Sequence, residues 1–172
     1  MSGKNREWLL ISPYSLTASS FNFRFSPLRG SGVSIVSRET RTIMKSLIVD
    51  DDFTSRVLLQ AFIKEYGTCH VAVNGKEAVE AVRVALELDE PYQLICLDVM
   101  MPEMTGQEAL EQIRAMEEAS RGAYRSRIIM TTAVSDQASV MQAISASCNA
   151  FLVKPLDRDR FRAELLRFKL IW

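Results

Sequence analysis

From residue 44 onward the chain alternates between short apolar runs and longer segments in which apolar side chains recur every three or four residues. The runs are Ser46 to Val49, Thr68 to Val73, Leu94 to Leu97, Ile128 to Thr131 and Ala150 to Val153. Each is short, nearly continuous and bounded by polar or turn-forming residues, which predicts strands buried on both faces. The intervening segments predict five amphipathic helices. The first places Val57, Leu58, Ala61, Phe62 and Tyr66 on one face; the second, opening at Asn74 as N-cap, does the same with Ala78, Val79, Val82, Ala85 and Leu86. The third spans about Thr105 to Glu118 (Ala109, Leu110, Ile113, Met116) and the fourth about Asp136 to Ala146 (Val140, Met141, Ile144). The fifth runs from about Asp157 to Trp172 (Phe161, Leu165, Phe168). Strand and helix in strict alternation require crossover connections of one hand. Five such units wind most readily into an α/β fold, a five-stranded parallel sheet of order 2-1-3-4-5 with helices on both faces.

Ligands of such a sheet sit beyond the carboxyl ends of its strands. Here the first strand delivers Asp50, Asp51 and Asp52, the third Asp98, the fourth Thr132, and the fifth Lys154 and Pro155. An acidic run after a strand is also an ordinary helix N-cap, and a lysine is also an ordinary counter-ion. Asp98 shifts that balance. Carboxylates about 4 Å apart repel by about 4 kcal/mol per pair at an effective dielectric of 20, so the group needs a cation. Hard oxygen ligands with room for water suit Mg2+, with Asp51 and Asp98 binding directly, Asp50 through water, and a backbone carbonyl after Asp98 completing the set. Lys154 and the Thr132 hydroxyl would then face the oxygens of a phosphoryl group, leaving Asp98 as the nucleophile that becomes an aspartyl phosphate.

Composition narrows the class further. The 172 residues are 48% hydrophobic and 24% charged, with seven Gly, five Pro and three Cys, which excludes disordered, collagen-like and disulfide-scaffold chains. Three cysteines cannot all pair within one monomer, so a reduced, cytoplasmic protein is expected, with Cys69, Cys96 and Cys148 as small buried residues and His70 structural. Twenty-one basic residues balance 21 acidic ones, so no nucleic-acid or membrane partner is implied, and no apolar stretch reaches 18 residues. The charge is unevenly placed. Residues 1–43 hold six basic and two acidic residues and nine Ser, against a net −4 for the remainder. This leader reads in three ways: a targeting peptide, a small β-arm in which Phe21, Phe23 and Phe25 alternate with Asn22 and Arg24, or sequence upstream of a true start at Met44. The third is favoured, with 1–43 a disordered or mis-assigned leader and 44–172 the folded domain. Arg121, Arg125 and Arg127, around Gly122, are read as a solvated loop, with docking of an acidic partner as the alternative.

Four motifs in order resemble the receiver domain of two-component response regulators, with its flavodoxin-like fold, over about Met44 to Phe168. Val49-Asp50-Asp51-Asp52 resembles the acidic pair, and Leu97-Asp98-Val-Met-Met-Pro-Glu-Met-Thr-Gly106 the phosphoacceptor strand and its loop. Ile129-Met-Thr-Thr132-Ala133 is similar to the switch threonine motif, and Val153-Lys154-Pro155 to the lysine before a cis proline. The resemblance implies a chemotaxis-regulator-like, single-domain regulator of a phosphorelay, whose Asp98 accepts a phosphoryl group from a sensor histidine kinase or phosphotransfer protein with Mg2+. It implies a metal set of Asp50, Asp51, Asp98 and the Met100 carbonyl, a phosphoryl contact from the Ala133 N–H, and a switch formed by Thr132 and Phe151. Output would be docking of a downstream protein on the face made by the fourth helix, fifth strand and fifth helix. Such a domain is no enzyme beyond its own phosphorylation and dephosphorylation. Phe151 stands where Tyr is frequent and is alternatively plain core, while Met100 and Val134 replace polar side chains that can orient attacking water, so a long-lived phosphoryl group is expected. Two other classes compete: a phosphatase with an aspartyl nucleophile, which would want a cap segment, and a receiver-like binding module that works without phosphorylation.

Overall fold

The computed structural model describes residues 43–120, 124–133 and 147–172. The leader with its Phe21 to Phe25 pattern, the predicted fourth helix, Arg121, Gly122 and Val134 lie outside the described residues. Five strands form the sheet: β1 (Met44–Val49), β2 (Gly67–Ala72), β3 (Leu94–Asp98), β4 (Arg127–Thr132) and β5 (Ala150–Val153). All pair in parallel in the order β2-β1-β3-β4-β5, the winding expected from the sequence. The described helices are α1 (Phe53–Ile63), α2 (Gly75–Glu87), α3 (Gly106–Ala119) and α4 (Arg158–Arg167). No helix among the described residues is long and apolar enough to cross a membrane.

Every residue of β3 is buried, as is Leu47 to Val49 of β1, so the centre of the sheet is covered on both faces. On one face Leu47, Val49, Ile95, Leu97 and Met130 pack with Ala78 and Val82 of α2 and Leu110 and Ile113 of α3. On the other Ile48, Cys96 and Ile129 pack with Leu59, Phe62 and Ile63 of α1 and Phe161 and Leu165 of α4. Alternate strand residues supply the two layers, because successive side chains of a strand point to opposite faces.

Each described helix starts on a side-chain cap. Asp52, Asn74, Thr105 and Asp157 accept from the backbone N–H groups of Ser55, Glu77, Glu108 and Arg160, satisfying donors the first turn leaves orphaned. At α3 the cap is reciprocal, with the Glu108 carboxylate accepting from the Thr105 N–H.

Two helix expectations need correction. The buried side of α1 is Leu59, Phe62 and Ile63, whereas Val57 and Leu58 are exposed. Six of the seven residues from Val57 to Ile63 are apolar, so periodicity leaves the phase open. The Asp52 cap and the Arg56 guanidinium donating to the Asp50 carbonyl at 2.7 Å accompany the observed phase. The last helix stops at Arg167 rather than Trp172. Lys169 takes φ 58°, and the Leu170 N–H donates to the Leu165 carbonyl while the Lys169 N–H donates to Leu166. That is a Schellman closure with Lys in the position glycine usually fills, and it turns Ile171 back onto the core. Among the cysteines only Cys96 is fully buried; Cys69 and Cys148 are half-buried.

Near the amino end of β4 lies a buried polar knot. The Arg114 guanidinium of α3 pairs with Glu117, and both side chains are almost wholly enclosed. It donates to the Ser147 carbonyl at 2.8 Å, the Ser126 carbonyl at 3.1 Å and Asn149 Oδ1 at 3.1 Å, while Glu117 Oε1 accepts from the Ser126 N–H. Asn149 Oδ1 also accepts from the Ile128 N–H, so α3, β4 and the chain entering β5 share one hub. His70, on the edge strand β2, bonds through Nδ1 to the Tyr92 hydroxyl at 2.7 Å, consistent with a structural role.

Candidate functional site

The strand ends bring their polar residues together as the topology requires. Oxygens of Asp50, Asp51 and Asp98 lie within 4.8 Å of one another. Asp50 is fully buried, Asp98 is 5% exposed and Asp51 opens to solvent, so the group is a pocket with one wet side. The Lys154 Nζ bridges the two buried carboxylates, 2.9 Å from Asp50 Oδ2 and 2.9 Å from Asp98 Oδ1.

The three residues of the acidic run are divided in task. Asp50 Oδ1 accepts the Asp52 N–H at 2.9 Å, which folds the run back on itself. Asp52 caps α1, and the Ser55 backbone N–H it accepts holds its carboxyl below the ordinary range. Asp51 is left facing the pocket.

Burial pushes the Asp98 carboxyl up, to about 6, with the charges of Asp50 and Asp51 adding to the rise and Lys154 opposing it. For Lys154 burial works downward, but the two carboxylates outweigh it and leave the ammonium above the ordinary lysine value. A single ammonium thus balances part of a three-carboxylate cluster. Asp50 Oδ2 has no hydrogen bond of good geometry and faces Lys154 as an ion pair only. An all-oxygen donor set with excess negative charge and one open side fits a hard divalent cation such as Mg2+.

The rest of the pocket is supplied by the loops. Met100, two residues after Asp98, is 59% exposed at the start of the β3–α3 loop. That loop is closed at its root by the Gly106 N–H donating to the Val99 carbonyl at 2.9 Å. A Cβ at Gly106 would overlap the Asp98 carbonyl oxygen, so glycine lets α3 begin against the acceptor strand. Thr132 is buried at the end of β4 with its hydroxyl donating to the Ala133 carbonyl at 3.2 Å, and Ala133 is exposed beyond it. Lys154 donates its N–H to the Thr132 carbonyl at 2.7 Å and precedes Pro155 across a cis peptide. Phe151 is half-buried against the α2/α3 layer, beside Met130 in register. Sequence reasoning missed Thr131, the register partner of Asp98, whose hydroxyl donates to Asp98 Oδ1 at 3.5 Å. The parallel register of β3 and β4 was the signal that could have found it.

A doubly wound sheet with an acidic pocket and a lysine at its carboxyl edge is a frame that more than one class of protein uses, and comparison with known proteins identifies the one present here. The response regulator receiver domain family matches residues 46–166. The chemotaxis protein CheY of Listeria monocytogenes is 33% identical over 118 residues, covering 69% of this chain and 92% of that protein. The receiver domain of the histidine kinase CKI1 from Arabidopsis thaliana, complexed with Mg2+, is 30% identical with a TM-score of 0.62, covering 72% of this chain and 90% of that one. The receiver domain of a Pseudomonas aeruginosa sensor histidine kinase, with magnesium coordinated in its active site cleft, is 25% identical with a TM-score of 0.61, covering 73% and 96%. The chain belongs to the receiver domains of two-component response regulators. These are signalling domains that work with histidine kinases, and phosphorylation and Mg2+ binding are general to them.

Proposed function

We propose that this protein takes a phosphoryl group onto Asp98 from a phosphohistidine of a sensor kinase or phosphotransfer protein, and signals by docking a target protein in the phosphorylated state. The observation that carries this reading is the Lys154 ammonium held 2.9 Å from the Asp98 carboxylate, inside an oxygen cluster short of positive charge. Asp51, Asp98 and the Met100 carbonyl would hold Mg2+ directly, with Asp50 through water. The bound ion supplies charge neutralisation between the carboxylate and the incoming phosphate.

Everything else falls to the chain itself. An Asp98 oxygen attacks phosphorus as the phosphorus–nitrogen bond of the donor breaks, and the imidazole leaves with that electron pair. Lys154 follows the negative charge onto the phosphoryl oxygens, joined by the Thr132 hydroxyl and the Ala133 N–H. The hydroxyl now spent on the Ala133 carbonyl must turn to do so. Its movement would free space toward which Phe151, half-buried in the unphosphorylated chain, turns inward, a population shift read out on the β5 side. A donor protein has to cover the pocket mouth, and Phe53 and Met100, which closely follow the acidic run and the acceptor in the chain, are exposed apolar side chains available to it.

The test is intact-protein mass after incubation with acetyl phosphate and Mg2+. One phosphoryl adduct is expected, absent when EDTA is present in the incubation and absent from Asp98→Ala; a folded chain that takes no adduct would leave a phosphorylation-independent binding module in its place. A second expectation concerns lifetime. By the resemblance to the family, Met100 and Val134 are apolar at positions where relatives can carry water-orienting polar side chains, so Met100→Asn with Val134→Glu should shorten the half-life of the acyl phosphate about tenfold. An unchanged decay would sink that account.

A further inference from the structure

The loop that carries the Met100 carbonyl touches α2 as well as the two elements it joins. Its outer arm, Pro102 to Met104, rests on the first turn of α2. A Cβ at Gly75 would lie 2.7 Å from the Met104 carbonyl oxygen, 2.7 Å from its Cγ and 3.0 Å from its Cβ. One residue on, Lys76 Nζ pairs with Glu103 Oε2 at 3.1 Å. Glu103 itself sits at φ 67°, the left-handed turn that brings the arm against the helix, and the Met104 N–H closes the turn onto the Pro102 carbonyl at 2.8 Å.

We propose that Gly75 is a positioning residue for the metal loop, a seat that sets how far the β3–α3 loop lies from the carboxylates and therefore where the Met100 carbonyl points. The inference rests on the metal assignment above and extends it to an element that contributes no ligand. Gly75 has no positive φ, so glycine is not required there for backbone freedom. As the first helical residue after the Asn74 cap it would even gain propensity on replacement by alanine. What alanine cannot do is fit. The closest atoms include backbone, and α2 is anchored by buried Ala78, Val82 and Ala85, so the loop is the part that yields. The root of the loop is fixed by the Val99 and Gly106 backbone bonds, which concentrates the displacement in residues 100–104. Groups supporting a ligand from behind are typically worth about ten- to a hundredfold in metal affinity.

The experiment compares the full chain with Gly75→Ala by two readouts. Hydrogen exchange of the metal-free proteins reports the seat, and calorimetric titration with MgCl2 reports its consequence. Faster exchange confined to residues 99–106, with Mg2+ affinity about tenfold weaker and partly restored by adding Met104→Ala, is the expected result. Unchanged exchange in the loop overturns the seat, and changed exchange with affinity within twofold overturns its link to the metal. A parent chain that takes no Mg2+ overturns the metal assignment itself, while the exchange comparison still decides the contact. If Gly75→Ala does not fold, Met104→Ala alone, which removes the Cγ contact and leaves the carbonyl oxygen and Cβ against Gly75, should loosen the same residues.

Discussion

Replacing Lys154 by Met is expected to slow phosphorylation of Asp98 by acetyl phosphate about a hundred- to a thousandfold, the usual cost of removing one preorganised group from a developing charge. The methionine keeps the apolar stem, so the loss reports the ammonium and not the packing. The same change should lower stability in the absence of metal. Asp50 is fully buried and Asp98 nearly so, and Lys154 is the cation 2.9 Å from both. Breaking a wholly buried pair by deleting one partner costs about 3–5 kcal/mol; Lys154 is 24% exposed, so about 2 kcal/mol is the better expectation. Mg2+ should recover much of that stability without recovering the rate, since it relieves the carboxylates but cannot take the place of the ammonium beside the transferred group. Time-resolved mass measurement gives the rate, and urea denaturation with and without MgCl2 the stability. A variant phosphorylated within threefold of the parent rate would remove Lys154 from the chemistry.

The largest loss of stability is expected at the opposite end of the sheet. Glu117→Ala leaves the Arg114 guanidinium enclosed without its carboxylate and strips the Ser126 N–H of its acceptor. About 3–5 kcal/mol should disappear from the unfolding free energy, a large part of the total for a domain of this size. The paired variant Arg114→Met with Glu117→Leu should be less damaged, because two apolar side chains leave no uncompensated charge, although the Ser126 N–H loses its acceptor and the Ser126 carbonyl, the Ser147 carbonyl and Asn149 Oδ1 each lose a donor. Denaturant titration of the three proteins checks the ordering. Equal losses in the single and paired variants would mean that shape, not charge, is what the knot contributes.

The sequence made the sheet legible because each strand is a short apolar run that ends abruptly in a chemically distinctive residue. The same abrupt ends exposed the pocket: Asp50, Asp51, Asp98, Thr132 and Lys154 all sit at the edge where the winding predicts them. The phase of α1 was hidden because its apolar residues are too dense to show a period. The stop at Arg167 was hidden because Leu170 and Ile171 continue an apolar pattern past a lysine that carries no sign of its left-handed backbone. The burial of Arg114 and Glu117 was not legible, since charged residues in an amphipathic helix ordinarily belong to its solvated face. Their burial depends on acceptors from Ser126, Ser147 and Asn149, which lie on other elements and become neighbours only in the fold.

The division of the buried charges between the two ends of the sheet bears on how such a domain can diversify. Between the Arg114 hub and the acidic pocket the central strands carry only hydrocarbon and sulfur on their inward faces, apart from Ser46 and Thr131. Changes at the pocket rim, such as those at Met100, touch neither the knot nor the two packed layers. A lineage can therefore retune the timing of its signal by substitutions at one end while the other end keeps the architecture intact, and drift at the hub, invisible to the chemistry, is purged through folding alone.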